Sequence, residues 1–215
     1  MLQKSADQLD IVDGAVVTRD GSAGPSITLA EIARALAPGS KVRGQREPGL
    51  AAEGWFYSDR MNYPYGVHIA VVRVDRDTGG VTVERYLVAY DIGKAVNPML
   101  VEGQIAGGVA QGLGGALLEE FPYDDRGEPL AVTFADYLMP TVREIPTLEV
   151  IISEDAPSPL NPLGLKGAGE AGVNAAGAAI ANAIDAAIGI PGVVTRLPVA
   201  PQRMREILRR GKSSA

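Results

Sequence analysis

Apolar residues concentrate in two neighbouring runs of the sequence, Val67–Val74 and Val81–Tyr90. Both runs are rich in Val, Ile and Tyr, the residue types that favour strands. The polar, glycine-containing segment Asp75–Gly80 separates them and has the length and chemistry of a hairpin loop. The pattern therefore predicts a β-hairpin in this part of the chain.

A shorter pattern of the same kind lies near the start of the chain. Leu9–Val12 and Ala15–Thr18 flank an Asp-Gly pair, the dipeptide that a type I′ turn favours. Thr28 and Glu31 then form a capping box, and apolar residues at helical spacing continue to Leu36. A hairpin followed by a short helix is therefore predicted.

Two longer segments have helical patterns. Asn97 and Pro98 have the chemistry of an N-cap followed by proline at the first helical position, and this glycine-rich helix is expected to run to about Glu120. A second helix, very rich in alanine, is predicted over Ala171–Ile188.

The remaining segments decide the fold class. Thr147–Ser153 has the composition of a strand, Pro201 is expected to begin a terminal helix, and Pro38–Arg60 is predicted to be a loop or an irregular edge strand. Strands and helices are thus mixed without regular β-α alternation. The prediction is an α+β fold with a mixed sheet and long Gly-rich and Ala-rich helices.

The length and net charge of the chain limit its number of domains and its possible partners. The chain has 215 residues, a length that allows one domain or two small ones. We predict one domain over 1–215, with a lead-in over 1–60 and a main body over 61–210. Its net charge of −6 makes it a poor general partner for nucleic acid or anionic membrane. We therefore expect no nucleic acid and no membrane among its partners.

Two absences in the sequence narrow the chemistry further. The sequence has no cysteine, which excludes disulfides, thiolate metal sites and iron–sulfur clusters ligated by this chain. Neither an apolar signal region nor a run of 18 apolar residues is present. A cytoplasmic location is therefore expected.

The Gly-rich helix carries the first candidate chemistry. Glycine in a helix interior costs about 1 kcal/mol relative to alanine, so the run of glycines in Val101–Gly115 needs a reason. Gln104, Gly108, Gln111 and Gly115 fall on one helix face, where two amides stand on bare backbone. Such amides suit the edge of a heterocycle. Close helix packing, with the glutamines at its rim, is the alternative.

A second glycine-rich segment, Leu163–Gly172, leads into the Ala-rich helix. Residues 167–172 spell G-x-G-x-x-G, but a Pro-rich segment precedes them and no βαβ unit follows, so the dinucleotide-binding context is missing. Open backbone beside a helix start is still a plausible cradle for an anionic or electron-rich group. Glu170 is expected at or just before that helix start, where the dipole favours an ionised carboxylate and thus a general base. An ordinary helix-terminal glutamate is the alternative.

The single histidine, His68, lies in a predicted strand and is interpreted as a packed or edge side chain rather than a ligand. No cluster of His, Asp or Glu has the spacing of a metal site. We therefore predict no metal ligand from this chain.

Taken together and in order, these segments match the motifs of one known family: Pro64-Tyr65-Gly66-Val67-His68, Asp91-x-Gly93, Asn97-Pro98, Glu102-Gly103-Gln104, Gln111-Gly112-Leu113-Gly114, Asp136-Tyr137 and Asn161-Pro162-x-Gly164-x-Lys166-Gly167-x-Gly169-Glu170-Ala171-Gly172. They resemble the C-terminal, molybdopterin-binding part of the large subunit of the xanthine dehydrogenase family. That family includes aldehyde oxidoreductases, aerobic carbon monoxide dehydrogenases and bacterial N-heterocycle hydroxylases. The resemblance extends from about Leu9 to Arg210 and is weakest over Pro38–Arg60.

The resemblance implies roles for individual residues. Glu170 matches the family's catalytic glutamate, the base that deprotonates a molybdenum-bound hydroxyl before the oxygen attacks substrate carbon and hydride passes to a sulfido ligand. Gln104 matches a glutamine that hydrogen-bonds the pterin. Four further residues match the loop whose backbone passes close to the cofactor: Lys166, Gly167, Ala168 and Gly169.

The resemblance also implies a function and partners. It implies a subunit of a molybdenum hydroxylase complex that hydroxylates a small organic substrate, such as an N-heterocycle or aldehyde, with oxygen from water. The molybdenum–pterin cofactor, in its cytosine dinucleotide form, would be shared with a companion chain carrying the N-terminal part of the large subunit. Iron–sulfur clusters and FAD are expected on an iron–sulfur subunit and a flavin subunit. Two alternatives stay open: a non-catalytic assembly module of the same fold, or a dinucleotide-binding protein using Gly167–Gly172.

Overall fold

A computed structural model describes residues 1–21, 24–45 and 47–212 of the chain. The chain divides into two units, Met1–Tyr57 and Ser58–Ala215. The candidate chemistry belongs to the second unit.

The first unit contains the predicted hairpin and helix. Strands β1 and β2 pair in antiparallel register, and positive φ angles at Asp13 (48°) and Gly14 (74°) produce the predicted tight turn. The capping box is present, because the Thr28 hydroxyl accepts from the Glu31 amide and the Glu31 carboxylate accepts from the Thr28 amide. A short strand that the sequence did not predict, β3, pairs with β2 just before the helix. The bounds are β1 Leu9–Val12, β2 Ala15–Thr18, β3 Ile27–Thr28 and α1 Leu29–Ala35.

The second unit is built on a mixed sheet of order β4-β5-β6. The predicted hairpin is confirmed, since β4 (Tyr65–Val74) and β5 (Val81–Asp91) are antiparallel. Strand β6 (Thr147–Ser153) lies parallel to β5 on its other side. The α+β class and the mixed sheet predicted from the sequence are therefore both correct.

Helices α2 (Pro98–Leu117) and α3 (Ala176–Ile188) accompany this sheet, and α4 (Pro201–Lys212) follows. The start of α2 is as predicted, with the Asn97 side chain accepting from the Leu100 amide at 3.3 Å. The helix ends slightly before the predicted Glu120, at Leu117. Within the part of the chain that the structure describes, no helix is both long and apolar enough to cross a bilayer.

The predicted start of α3 at Ala171 is wrong, because the helix begins five residues later. Residues 171–175 instead form turns, with the Val173 amide donating to the Glu170 carbonyl at 3.1 Å. Gly172 explains the difference. A Cβ on Gly172 would collide with the Ile105 carbonyl oxygen of α2 and lie 2.9 Å from the Gly108 Cα. The backbone here crosses α2 in direct contact.

Apolar side chains of the sheet and helices form one core cluster. On α2 and α3 the buried positions repeat every four residues, the spacing of one helix face. Burying each such side chain contributes roughly 1.5–3 kcal/mol. The cluster includes Tyr86, Val88 and Tyr90 of β5, Ile105, Val109 and Leu113 of α2, Ile180, Ile184 and Ile188 of α3, and Met204 of α4.

Candidate functional site

The two glycine-rich segments, 65 residues apart in sequence, meet in the structure. The Gln104 side-chain amide donates from Nε2 to the Gly169 carbonyl oxygen at 2.9 Å. Both residues are exposed, so this contact lies at the surface of the second unit. This hydrogen bond joins the exposed face of α2 that carries Gln104 to the glycine-rich loop before Glu170.

Five of the six glycines of α2 fall into two groups. Gly108 and Gly112 contact the segment that leads into α3, where a Cβ on Gly108 would lie 2.8 Å from the Gly172 Cα and one on Gly112 would collide with the Ala176 side chain. Close packing is thus the correct interpretation for these glycines, and Gly108 does not share the exposed position predicted for it beside Gln104. Another group is open: a Cβ would meet no atom within 4 Å at Gly103, Gly107 or Gly115.

Hydrogen bonds from one side chain, Asn161, hold the conformation of the loop before Glu170. The Asn161 amide brackets Leu165, accepting from its backbone N–H and donating to its carbonyl oxygen, both at 2.8 Å. The Lys166 amide then donates to the Ile92 carbonyl at 2.9 Å, which fixes the loop to the end of β5. At Gly164, φ is 72°, a left-handed conformation that glycine adopts at little cost. The loop thus has a defined path before it reaches its open residues.

The Lys166 side chain is engaged inside the protein. Its Nζ lies 3.2 Å from Asp91 Oδ1 and 4.9 Å from the centre of the Tyr65 ring, and the side chain is only 7% exposed. Asp91 also accepts from the Gly93 amide at 2.8 Å, and that bond, with the help of Lys166, holds the pKa of Asp91 below its ordinary value. The ammonium therefore anchors the loop, and any cofactor contact of Lys166 falls to its backbone.

Beyond Lys166 the backbone becomes open. A Cβ on Gly169 would meet nothing within 4 Å, and one on Gly167 would meet only ordinary contacts, the nearest being the Asn62 carbonyl oxygen at 3.5 Å. Ala168 is half-buried between them. Main-chain groups at these glycines are therefore accessible to a ligand.

Glu170 follows directly on this open stretch and is exposed. Across residues 1–21, 24–45 and 47–210, its carboxylate has no hydrogen-bond partner or counter-cation. It lies six residues before the start of α3, and helix-dipole effects fall off within the first turn. The predicted electrostatic support from the helix is therefore wrong, but Gln104 does contact Gly169, the residue before Glu170.

His68, predicted to be a packed or edge side chain, is packed, and it lies beside the residues of this site. It lies on the inward face of β4, where Nε2 is 2.9 Å from the Ala171 carbonyl oxygen and Nδ1 is 2.8 Å from the Tyr86 hydroxyl. The signal in the sequence was a lone histidine in an otherwise apolar strand. Its partner, Ala171, is 103 residues away and could not be read from the pattern.

This surface fits a heterocyclic cofactor better than a bare metal ion. Exposed amides at Gln104 and Gln111 supply donors and acceptors for a planar, polar ring, and the absence of a side chain at Gly107 and Gly169 leaves room for such a ring to approach. Among the residues described, no group of three or more His, Asp or Glu side chains could hold a metal.

Comparison with known proteins identifies such a cofactor. A family model described as the molybdopterin cofactor-binding domain matches residues 1–146. The gamma subunit of the 6-hydroxypseudooxynicotine dehydrogenase complex of Paenarthrobacter nicotinovorans is 43% identical over 95% of this chain, and the nicotine 6-hydroxylase large subunit of the same organism is 35% identical over 95%. This chain spans about a quarter of each, 25%.

A solved structure agrees over the whole chain. The reconstituted CO dehydrogenase from Oligotropha carboxidovorans superposes with a TM-score of 0.85 at 27% identity, covering 100% of this chain and 26% of that one. The resemblance inferred from the sequence motifs is therefore confirmed. This chain belongs to the molybdopterin cofactor-binding domain family, whose members here are parts of the large subunits of molybdenum-dependent oxidoreductases related to xanthine dehydrogenase.

Proposed function

We propose that this chain forms one wall of the active site of a molybdenum hydroxylase complex, with Glu170 as its general base. The observation that carries the proposal is the hydrogen bond between Gln104 and the Gly169 carbonyl, which joins the amide-bearing helix to the residue before Glu170. A carboxylate without a partner among the described residues, next to open backbone, is free to take up the proton of the attacking oxygen.

The proposed division of labour is simple. The molybdenum–pterin group supplies the two-electron redox chemistry when bound, and water supplies the oxygen. Gln104 uses one N–H on Gly169, so its other N–H and its carbonyl oxygen are available to the pterin edge. Backbone groups from Lys166 to Gly169, including Gly167 and Ala168, lie alongside the proposed pterin position. Glu170 accepts the proton of the attacking oxygen and holds it on a carboxylate oxygen.

The substrate class follows from the relatives. Two of them, matching 95% of this chain, are named for nicotine and a nicotine derivative. We therefore propose an N-heterocyclic substrate related to nicotine. The cytosine dinucleotide form of the cofactor, and iron–sulfur and flavin subunits that carry electrons away, complete the proposal.

The proposal requires the rest of the large subunit, whether on a companion chain or on the same polypeptide. An exposed apolar face supports this requirement. On the outward side of β4, the side chains of Tyr65, Val67, Ile69 and Val71 are 47–69% exposed. Contiguous apolar surface of this kind typically marks an interface. We propose that the missing part of the large subunit covers it.

The position of α3 argues against dinucleotide binding by Gly167–Gly172. That mode needs a helix N-terminus directly after the glycines, to face the pyrophosphate. Here turns follow the loop, and α3 begins only at Ala176. An assembly module without activity would differ from the proposed enzyme in one measurable respect, its molybdenum content.

The test uses the complex purified from its native host through a tag on this chain. We expect molybdenum in the complex, and reduction of an artificial electron acceptor with nicotine or 6-hydroxypseudooxynicotine as substrate. Glu170→Gln should retain molybdenum and lose about 10²–10⁴-fold in kcat, the usual worth of a general base. Glu128→Gln, an exposed glutamate in a surface turn, is the matched control. A complex without molybdenum, or a Glu170→Gln complex with wild-type kcat, would contradict the proposal.

A further inference from the structure

Two backbone carbonyls flank Glu170, and each is held by a side chain from a different element. The Gly169 carbonyl accepts from Gln104 Nε2 of α2, and the Ala171 carbonyl lies 2.9 Å from His68 Nε2 of β4. Ala171 is fully buried, whereas Glu170 is exposed. The exposed carboxylate therefore stands on a short piece of backbone that is anchored on both sides.

The hydrogen-bond partners determine which His68 nitrogen carries the proton. A carbonyl oxygen can only accept, so the proton of the imidazole must be on Nε2 for the bond to Ala171 to form. Nδ1 is then bare and accepts from the Tyr86 hydroxyl at 2.8 Å. Desolvation by burial lowers the pKa of His68 despite its bond to Ala171, and burial raises the pKa of Tyr86, so the neutral pair is favoured.

The surrounding rings fix the imidazole plane as well. The His68 ring makes edge-to-face contacts with Tyr86 and Tyr90, with ring centres 5.7 and 5.5 Å apart. Tyr90 in turn covers Gly66, where any side chain would collide with its ring. The imidazole consequently has a defined position from which to hold the Ala171 carbonyl.

We propose that His68 is a positioning residue, which, held by Tyr86, fixes the Ala171 carbonyl and so sets the direction of the Glu170 side chain. This inference rests on the proposed role of Glu170 as the base. Both ring nitrogens of His68 are engaged by protein groups, so its proposed effect on Glu170 passes through the Ala171 carbonyl. Small displacements of a reacting group, of about 1 Å, can cost about 10²-fold in rate, so loss of one anchor is a measurable change.

The kinetic test compares His68→Leu with His68→Gln in the complex. Leucine fills the space without an N–H, whereas glutamine presents an amide N–H at a reach similar to that of imidazole Nε2. We expect His68→Leu to lower kcat by about 10²-fold with little change in KM or molybdenum content, and His68→Gln to recover most of that loss. Wild-type kcat in His68→Leu would overturn the proposal.

A matched control separates positioning from general destabilisation. Val88 lies opposite His68 on β5 and is fully buried, so Val88→Ala should lower Tm without removing a hydrogen bond. We expect Val88→Ala to retain kcat at temperatures well below its Tm. If Val88→Ala has the same Tm as His68→Leu and loses as much kcat, then His68 acts only through stability. That result would contradict the proposal.

A second measurement does not depend on activity. Because the sequence has one histidine, nitrogen NMR of the full chain, prepared without a polyhistidine tag, reports His68 alone. We expect the Nε2–H tautomer at neutral pH and a shift of the tautomer balance in Tyr86→Phe. A predominant Nδ1–H tautomer in the wild type would overturn the proposal. If Glu170→Gln proves active while the tautomer is as expected, the base assignment fails and the anchoring geometry survives.

Discussion

Adjacent glycines of α2 give a sharp test of the packing, because Gly107 and Gly108 differ only in what lies beside them. A Cβ on Gly107 would meet nothing within 4 Å, so Gly107→Ala should stabilise the helix by about 1 kcal/mol. A Cβ on Gly108 would lie 2.8 Å from the Gly172 Cα and 3.0 Å from the Val173 nitrogen. These are backbone atoms, which cannot rotate away.

The two variants share the same gain in helix propensity, so their difference isolates the steric cost at Gly108. Overpacking of this kind costs about 1–3 kcal/mol. For a chain of this size that corresponds to a difference in Tm of roughly 2–12 °C, with Gly107→Ala the more stable variant. Thermal unfolding of the full chain, followed by circular dichroism, measures it. Equal Tm values for the two variants would refute the close crossing of residues 172 and 108.

Further predictions concern charge and pH. Asp91→Asn should lower Tm more than Glu154→Gln does. It leaves the buried Lys166 ammonium without its carboxylate, whereas the Lys94–Glu154 pair is exposed. Differential scanning calorimetry of both variants measures which Tm is lower. The pKa of Asp91 is lowered in the fold, so its contribution to stability is present above the unfolded value near 3.8 and should be lost as pH falls below it. The pKa of His68 is also lowered, so the unfolded chain binds the proton more readily; stability should fall as pH drops below 6.5, and this part of the slope should be absent in His68→Gln.

Local sequence signals predicted most elements correctly. The hairpin of β1 and β2 follows from an Asp-Gly pair, and the starts of α1 and α2 follow from Thr28 with Glu31 and from Asn97. Each of these signals acts between residues that are close in sequence, so their physical effect does not depend on the rest of the fold. The α+β class followed from their order along the chain.

The errors arose where distant residues meet. Alanine content favoured a helix from Ala171, but contact between Gly172 and Gly108 replaces its first turn by a non-helical crossing. Helix propensity is a weak preference and tertiary contact overrides it. The same contact moves the helix N-terminus away from Glu170, which removed the dipole argument for its charge. His68 instead contacts the carbonyl of Ala171, the residue after Glu170, and no local sequence pattern contained that contact.

The open glycines of α2 have no explanation within the described residues. Gly103 and Gly107 each destabilise the helix by about 1 kcal/mol relative to alanine, yet no neighbouring atom needs the space. Gly108 and Gly112, in contrast, are required by the crossing segment. Since Gln104 stands between the open positions and reaches the loop before Glu170, the space belongs on the proposed cofactor side. Gly107→Ala should therefore stabilise the isolated chain while lowering the molybdenum content of the complex. A Gly107→Ala variant that gains stability and keeps its molybdenum would show that the cofactor does not lie against this face of α2.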